Sequence, residues 1–209
     1  MKILSVTQLP IPDVKVVRFA RFCDERGYFS EHFRTTDIAA HPDLAHFAAQ
    51  PIVQCNEAFS RRGTLRGLHF QWQPKMGKLV RPLCGRLIDF ALDLRLSSPW
   101  FGKIIGYDMP AATDRDFAEW IWVPPGFAHG TLLPEETVIE YFCTAAWNPN
   151  AEAGISPLAD DLDWSLCDQQ VAKLYADAVK NGPLLSEKDR VAPSLTAWKD
   201  DPRAGLITD

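Results

Sequence analysis

Apolar and polar residues alternate in short runs along most of this chain, the period-two pattern of half-buried β-strands. The clearest runs lie at residues 15–19, 28–33, 52–58, 65–71, 78–83, 87–94, 104–109, 120–123, 130–133 and 138–144. Turn signals separate them, among them Glu25-Arg26-Gly27, Arg62-Gly63, Cys84-Gly85, Ser98-Pro99 and Pro125-Gly126. Many short strands at near-regular spacing, with no internal repeat or low-complexity segment, predict an all-β sandwich or barrel in a single domain over residues 1–209. Helical pattern is confined to two places. Residues 36–49 follow the N-cap candidates Thr35, Thr36 and Asp37, and Pro42 interrupts them. Residues 168–180 place Val171, Leu174, Tyr175 and Ala178 on one face and stop at Gly182-Pro183, which predicts a helical insertion at about 168–182. The polar tail after Pro193 is expected to fray or to pack across a neighbour.

Composition narrows the class. Hydrophobic residues make up 46% and charged residues 23% of the 209, enough apolar material for a core. The net charge of −5 argues against nucleic acid as a partner, since neutralising phosphates takes a positive surplus. A local anion pocket remains compatible with it. No apolar run approaches the length of a membrane span, and the start of the chain lacks the long apolar stretch of a signal peptide. The five cysteines are scattered and form no C-x-x-C pair, which predicts reduced core thiols in a cytoplasmic protein.

The chemistry concentrates in T-L-R-G-L-H-F-Q (64–71), where His69 sits in a β-patterned run with Arg66 upstream and Lys78 beyond. Together they suggest a base, an anion clamp and a cation for an anionic small molecule. Strand alternation puts Arg66 on the opposite face from His69 unless a bulge at Gly67 intervenes. By themselves these residues also fit a strand histidine with structural partners, a surface ion pair and a surface lysine. P-P-G-F-A-H-G (124–130) delivers His129 after a tight turn. Gly63 with His69, and Pro124-x-Gly126-x-x-His129, resemble the two halves of the cupin signature. A metal cupin would add a second histidine and a glutamate, but Gln71 stands in that place. Two histidines without a matching carboxylate make a poor metal set, so a cupin-type jelly roll without metal is expected.

An ordered set of further pieces is more specific. D-E-R-G-Y-F-S-E (24–31), Q-C-N-E-A-F-S (54–60), L-R-G-L-H-F-Q (65–71), G-K-L-V-R (77–81), D-F-A-L-D-L-R (89–95), S-P-W-F-G (98–102), W-V-P-P-G-F-A-H-G (122–130) and L-S-E-K-D (185–189) run over nearly the whole chain. In this order the chain resembles the dTDP-4-dehydrorhamnose 3,5-epimerase family of nucleotide-sugar enzymes. The resemblance implies a cupin-type jelly roll with a few short peripheral helices, acting as a homodimer without a cofactor. Its substrate would be a dTDP-linked 4-keto-6-deoxyhexose, whose ketone acidifies the C–H bonds at C3 and C5. By resemblance, His69 is the base, Asp189 its carboxylate partner, Lys78 the cation near the C4 oxygen, and Tyr141 the acid on the opposite face. Asp89 and Asp93 are the alternatives for the His69 partner. Substrate binding falls to Arg26, Phe29, Glu31, Gln54, Asn56, Arg66, His129 and Trp147, with Arg26, Phe29 and Glu31 reaching a partner subunit. Glu57 replaces the family's usual histidine, and a carboxylate there would repel a diphosphate unless turned away or paired. Ala146 and Trp147 replace an aromatic pair. Three other readings remain open: epimerisation at C3 or C5 alone, a non-catalytic sugar-nucleotide module, and a metal-dependent cupin.

Overall fold

Because side chains alternate across a strand, each strand of this chain offers one apolar face to a common interior. The computed structural model describes residues 1–207. Its strands are β1 (Ile3–Gln8), β2 (Lys15–Ala20), β3 (Phe22–Asp24), β4 (Gly27–Phe29), β5 (Gln54–Ser60), β6 (Thr64–Gln71), β7 (Lys78–Cys84), β8 (Arg86–Asp93), β9 (Ile104–Pro110), β10 (Phe117–Val123), β11 (Phe127–Leu133), β12 (Thr137–Cys143) and β13 (Glu152–Ile155). The helices are α1 (Thr35–Ala40), α2 (Ala45–Ala48), α3 (Gln169–Lys180), α4 (Glu187–Arg190) and α5 (Leu195–Lys199), with 3-10 turns at Pro42–Leu44 and Pro202–Leu206.

The larger sheet runs β1-β2-β10-β7-β12-β5 and the smaller β13-β6-β11-β8-β9, while β3 and β4 form a separate hairpin. All strand ladders are antiparallel, and neighbours such as β2 with β10 or β6 with β11 are distant in sequence. This is the two-sheet jelly roll expected from the strand pattern.

Apolar residues pack on three levels. Val80, Ile121 and Ile139 of the larger sheet meet Leu87, Ala91, Ile105 and Leu133 of the smaller one between the sheets. The outer face of the smaller sheet, with Leu68, Phe70, Phe90 and Leu92, is covered by Val171 of α3 and Trp198 of α5. Leu79, Trp120 and Trp122 on the outer face of the larger sheet lie under Ile38, Leu44 and Phe47. Covered on both sides, β8 is buried from Leu87 to Asp93, which explains its nearly continuous apolar run. The insertion helix α3 starts at Asp168, whose carboxylate accepts the N–H groups of Gln170 and Val171. Among the described residues no helix is long and apolar enough to cross a membrane.

Several expectations need correction. The single helix at 36–49 is broken: α1 ends at Ala40 and His41 is extended. Pro42 disfavours helical backbone in the residue before it and lacks an N–H to continue the ladder. The strand expected at 28–33 ends at Phe29, and β1, β3 and β13 form where no strand was expected. The tail does not fray up to residue 207; Trp198 packs edge-on against Phe70 at 4.7 Å. All five cysteines are free, but only Cys143 and Cys167 are buried; Cys23, Cys55 and Cys84 occupy outward positions.

Gly85 turns β7 into β8 with φ at +79°. A Cβ there would meet Thr137 Oγ1 at 2.5 Å and would also crowd the Glu136 carbonyl. Gly85→Ala is expected to cost about 1–3 kcal/mol, from backbone strain and crowding together. The check is a lower denaturant midpoint at unchanged slope; an unchanged midpoint would mean that the turn tolerates a side chain.

Candidate active site

Strand register gathers the chemistry. On the smaller sheet His129 of β11 lies opposite His69 of β6, and Thr131 lies opposite Arg66. Two steps along β11 thus match three along β6, so β6 carries one extra residue in the Gly67–Leu68 stretch. This bulge turns Arg66 to the same side as His69, and both line a cavity of about 110 Å³ between the sheets. Lys78 of β7 and Tyr141 of β12 reach the same cavity from the larger sheet, and His129 completes it.

Asp189 arrives from far along the chain. A parallel bridge between Leu184 and Thr64 lays the segment after α3 beside β6. Ser186 then caps α4, accepting the N–H of Asp189 at 3.1 Å. Asp189 is 4% exposed, and its Oδ1 accepts a hydrogen bond from His69 Nε2 at 2.5 Å. The approach requires glycine at 67, since a Cβ there would stand 2.6 Å from Asp189 Oδ1. Burial pushes the Asp189 carboxyl up, but His69, the Gly67 N–H and Ser186 together outweigh it and hold it below its ordinary 3.8. The two alternative partners are committed elsewhere. Asp89, fully buried, accepts from His129 Nε2 at 2.7 Å, and Asp93 pairs with Arg95 at 2.7 Å.

On the facing sheet, burial lowers the Lys78 pKa against the pull of Cys143, Asp89 and Glu152. Burial also pushes the Tyr141 phenol up and Cys143 adds to this, while Arg66 and a hydrogen bond with Asn56 draw it partly back. The cavity therefore holds a carboxylate-backed imidazole on one wall and a phenol with a lysine on the other. Among the described residues no three His, Cys, Asp or Glu side chains are grouped to hold a metal ion.

The family model described as dTDP-4-dehydrorhamnose 3,5-epimerase matches residues 8–197. The dTDP-4-dehydrorhamnose 3,5-epimerase of Pseudomonas aeruginosa is 37% identical over 90% of this chain and 93% of its own. The chain belongs to the dTDP-4-dehydrorhamnose 3,5-epimerase family. A crystal structure of dTDP-6-deoxy-D-glucose-3,5-epimerase from Legionella pneumophila, in complex with dTDP-4-keto-L-rhamnose, superposes with a TM-score of 0.79. It is 32% identical, covering 98% of this chain and 97% of that one. ChmJ, a 3'-monoepimerase from Streptomyces bikiniensis solved with dTDP-quinovose, gives a TM-score of 0.73 at 27% identity, covering all of this chain and 92% of that one. The fold is thus the cupin jelly roll of this isomerase family.

The remaining anticipated residues of the epimerase fall into two groups. Gln54 and Asn56 of β5 lie in register with Cys143 and Tyr141 of β12, and the Trp147 N–H donates to Gln54 Oε1 at 2.9 Å. Arg66, in the cavity wall, is braced by Ser60 Oγ at 3.0 Å and the Phe59 carbonyl at 3.1 Å. Arg26, Phe29 and Glu31 are not brought to the cavity within this chain. Arg26 pairs with Asp24 on the β3–β4 hairpin, Phe29 is 68% exposed, and Glu31 pairs with Arg34. Glu57 sits at an exposed position of β5, whose inward positions are those of Gln54, Asn56 and Ala58, so its carboxylate is turned away from the cavity.

Three residues were not anticipated in the roles they take: Asp89 behind His129, and the pair Glu152–Lys188. Glu152 also accepts from Trp147 Nε1 at 2.7 Å. Lys188 had a visible signal in its place next to Asp189. Glu152 had none, because the four residues of β13 are too few to show strand alternation.

Asp189 supplies a pH test. Its folded-state pKa is lowered, so its stabilising contribution is complete above its ordinary value of 3.8 and is lost as pH falls through the lower folded value. The stability gap between the wild type and Asp189→Asn should therefore close as pH drops below 3.8. Denaturant unfolding between pH 6 and about pH 2 checks this; a gap of constant size would contradict it.

Proposed function

We propose that this enzyme epimerises a dTDP-linked 4-keto-6-deoxyhexose at C3 and C5, converting dTDP-4-dehydro-6-deoxy-D-glucose to dTDP-4-dehydro-L-rhamnose. The observation that carries the reading is the placement of His69 and Tyr141 on facing sheets of one small cavity, with Lys78 beside the phenol. Inversion needs a proton removed from one face of a carbon and another delivered to the opposite face. The substrate ketone lets the intervening carbanion delocalise onto the C4 oxygen. His69, oriented by Asp189 at Nε2, keeps Nδ1 to take the C–H proton. The Lys78 ammonium meets the oxyanion as charge develops on it in this small cavity. Tyr141 gives its proton to the other face and regains one from solvent, and His69 returns its own to solvent.

Arg66 and His129 supply positive or donor groups for the diphosphate, and Trp147 offers a plane for the base. Arg26, Phe29 and Glu31 serve the site of a partner subunit in a homodimer. Support for this comes from the β3–β4 hairpin, which leaves Phe22, Tyr28 and Phe29 exposed, and from Val53, just before β5, and Phe59 on it, which also point outward. Free thiols, three of them exposed, suit the reducing cytoplasm.

The test is proton exchange in heavy water with dTDP-4-keto-6-deoxyglucose, with C3 and C5 followed by NMR. Exchange and inversion at both carbons are expected. Inversion at one carbon alone would make this a single-site epimerase, and tight binding without exchange would make it a binding module. His69→Ala should slow exchange by about 10²–10⁴-fold, the usual share of a general base. Tyr141→Phe should retain exchange and lose inversion. Full turnover by the His69 variant would remove the histidine from its role.

The shared site has its own test. Mixing His69→Ala with Arg26→Ala chains, each nearly inactive alone, should restore turnover in hybrid dimers that hold one intact site. No recovery after subunit exchange would confine the site to one chain.

A further inference from the structure

Trp147 lies 57% exposed in the stretch between β12 and β13, where a large ring buries little surface. Its neighbours and its own N–H groups are nevertheless tied to both sheets. From the larger sheet, Gln54 Oε1 accepts the Trp147 backbone N–H at 2.9 Å. That N–H can only donate, so the other end of the Gln54 amide is its NH2, which passes on to Asn56 Oδ1 at 3.0 Å. From the smaller sheet, buried Gln71 accepts the Asn148 N–H at 2.7 Å and donates to the Ala146 carbonyl at 3.1 Å. These contacts fix the backbone on either side of residue 147. They leave the indole free to turn about its side-chain torsions.

Glu152 removes that freedom. Its Oε2 accepts the indole Nε1–H at 2.7 Å, and its Oε1 takes the Lys188 ammonium. An indole has one N–H and no acceptor, so this single bond sets its orientation. Register places Glu152 on β13 opposite Gln71, and α4 places Lys188 next to Asp189. The carboxylate thus joins the exposed ring to the short helix that carries the His69 partner. Holding an exposed aromatic side chain costs rotamer freedom and returns little stability, because a surface hydrogen bond competes with water. The arrangement is useful when a flat ligand is laid on the ring, since a plane already fixed loses no further entropy on stacking.

We infer that Glu152 is a positioning residue for the nucleobase: it locks the Trp147 indole as a preformed stacking plane for a pyrimidine and so sets nucleotide affinity through that ring. The inference rests on the base-binding role given to Trp147 above. The two carboxylate oxygens have separate tasks. The indole needs only an acceptor, which an amide oxygen also provides, whereas Lys188 needs the charge.

Calorimetric binding of dTDP and steady-state kinetics on dTDP-4-keto-6-deoxyglucose test this. For Glu152→Ala the Kd of dTDP and the KM should both rise about five-fold, the effect of losing one net hydrogen bond, while kcat stays within about two-fold. Glu152→Gln, which keeps an acceptor for the indole, should bind within about two-fold of wild type. Trp147→Phe removes the N–H and keeps a ring, so in that background Glu152→Ala should change the Kd no further. An equal loss in both backgrounds would mean that Glu152 acts other than through the indole, and that result overturns the inference. A fall in kcat at unchanged Kd also overturns it, since the effect would then lie at α4 and His69. If Glu152→Ala does not fold, Trp147→Phe breaks the same bond from the ring side, and an unchanged Kd there overturns the inference. A wild type that binds dTDP without turnover removes the reaction assigned above, and the Kd comparison still decides the role of Glu152. A wild type without affinity for dTDP overturns both.

Discussion

Asp189 reaches His69 only because residue 67 has no side chain, and the site is organised around that contact. A Cβ on residue 67 would occupy the place of the carboxylate. The same glycine lies in the extra step of β6 that brings Arg66 to the side of His69. One local irregularity thus supplies both the orientation of the imidazole and the cation near it. Bulges re-aim side chains in this way at the cost of a broken ladder. Here the break lies against the returning segment at Leu184, which pairs with Thr64 and fills the sheet edge.

The sandwich divides the labour. The smaller sheet carries two imidazoles in register, each with its Nε2 on a buried carboxylate: His69 with Asp189, and His129 with Asp89. The larger sheet carries Lys78, Tyr141 and Cys143 on neighbouring strands. The two walls put an imidazole and a phenol on opposite sides of one cavity. The covered outer faces matter to this geometry. With α3 and α5 on one side and the segment from α1 to α2 on the other, both sheets are clamped at a fixed separation. The insertion helix α3 therefore supports the wall that bears His69 without entering the cavity.

Strand alternation, turn residues and the ordered motifs made most of this architecture legible in advance. His69, Lys78, Arg66 and His129 stand out in short local patterns and Tyr141 through the family resemblance, and all five line one cavity. The need for a bulge at Gly67 was also visible, since simple alternation would have put Arg66 on the wrong face. Less was legible where the signal was short or divided. β13 has four residues and no alternation to speak of, so no local pattern marks Glu152. The stretch at 36–49 has helical composition, but Pro42 divides it into pieces too short to be stable without the sheet beneath them.

The amino-acid sequence by itself determined the class of fold and the identities of the reactive groups, because alternation and local motifs act over a few residues. Tertiary structure decided which carboxylate serves which histidine. Asp89, Asp93 and Asp189 are chemically alike, and the choice depends on strand register and on a chain return 120 residues from His69. It also decided the direction of the amides beside Tyr141, since a backbone donor at Trp147 orients Gln54 from 93 residues away. Pairing across sheets is a sum of many weak packing preferences, and no single window of sequence contains it.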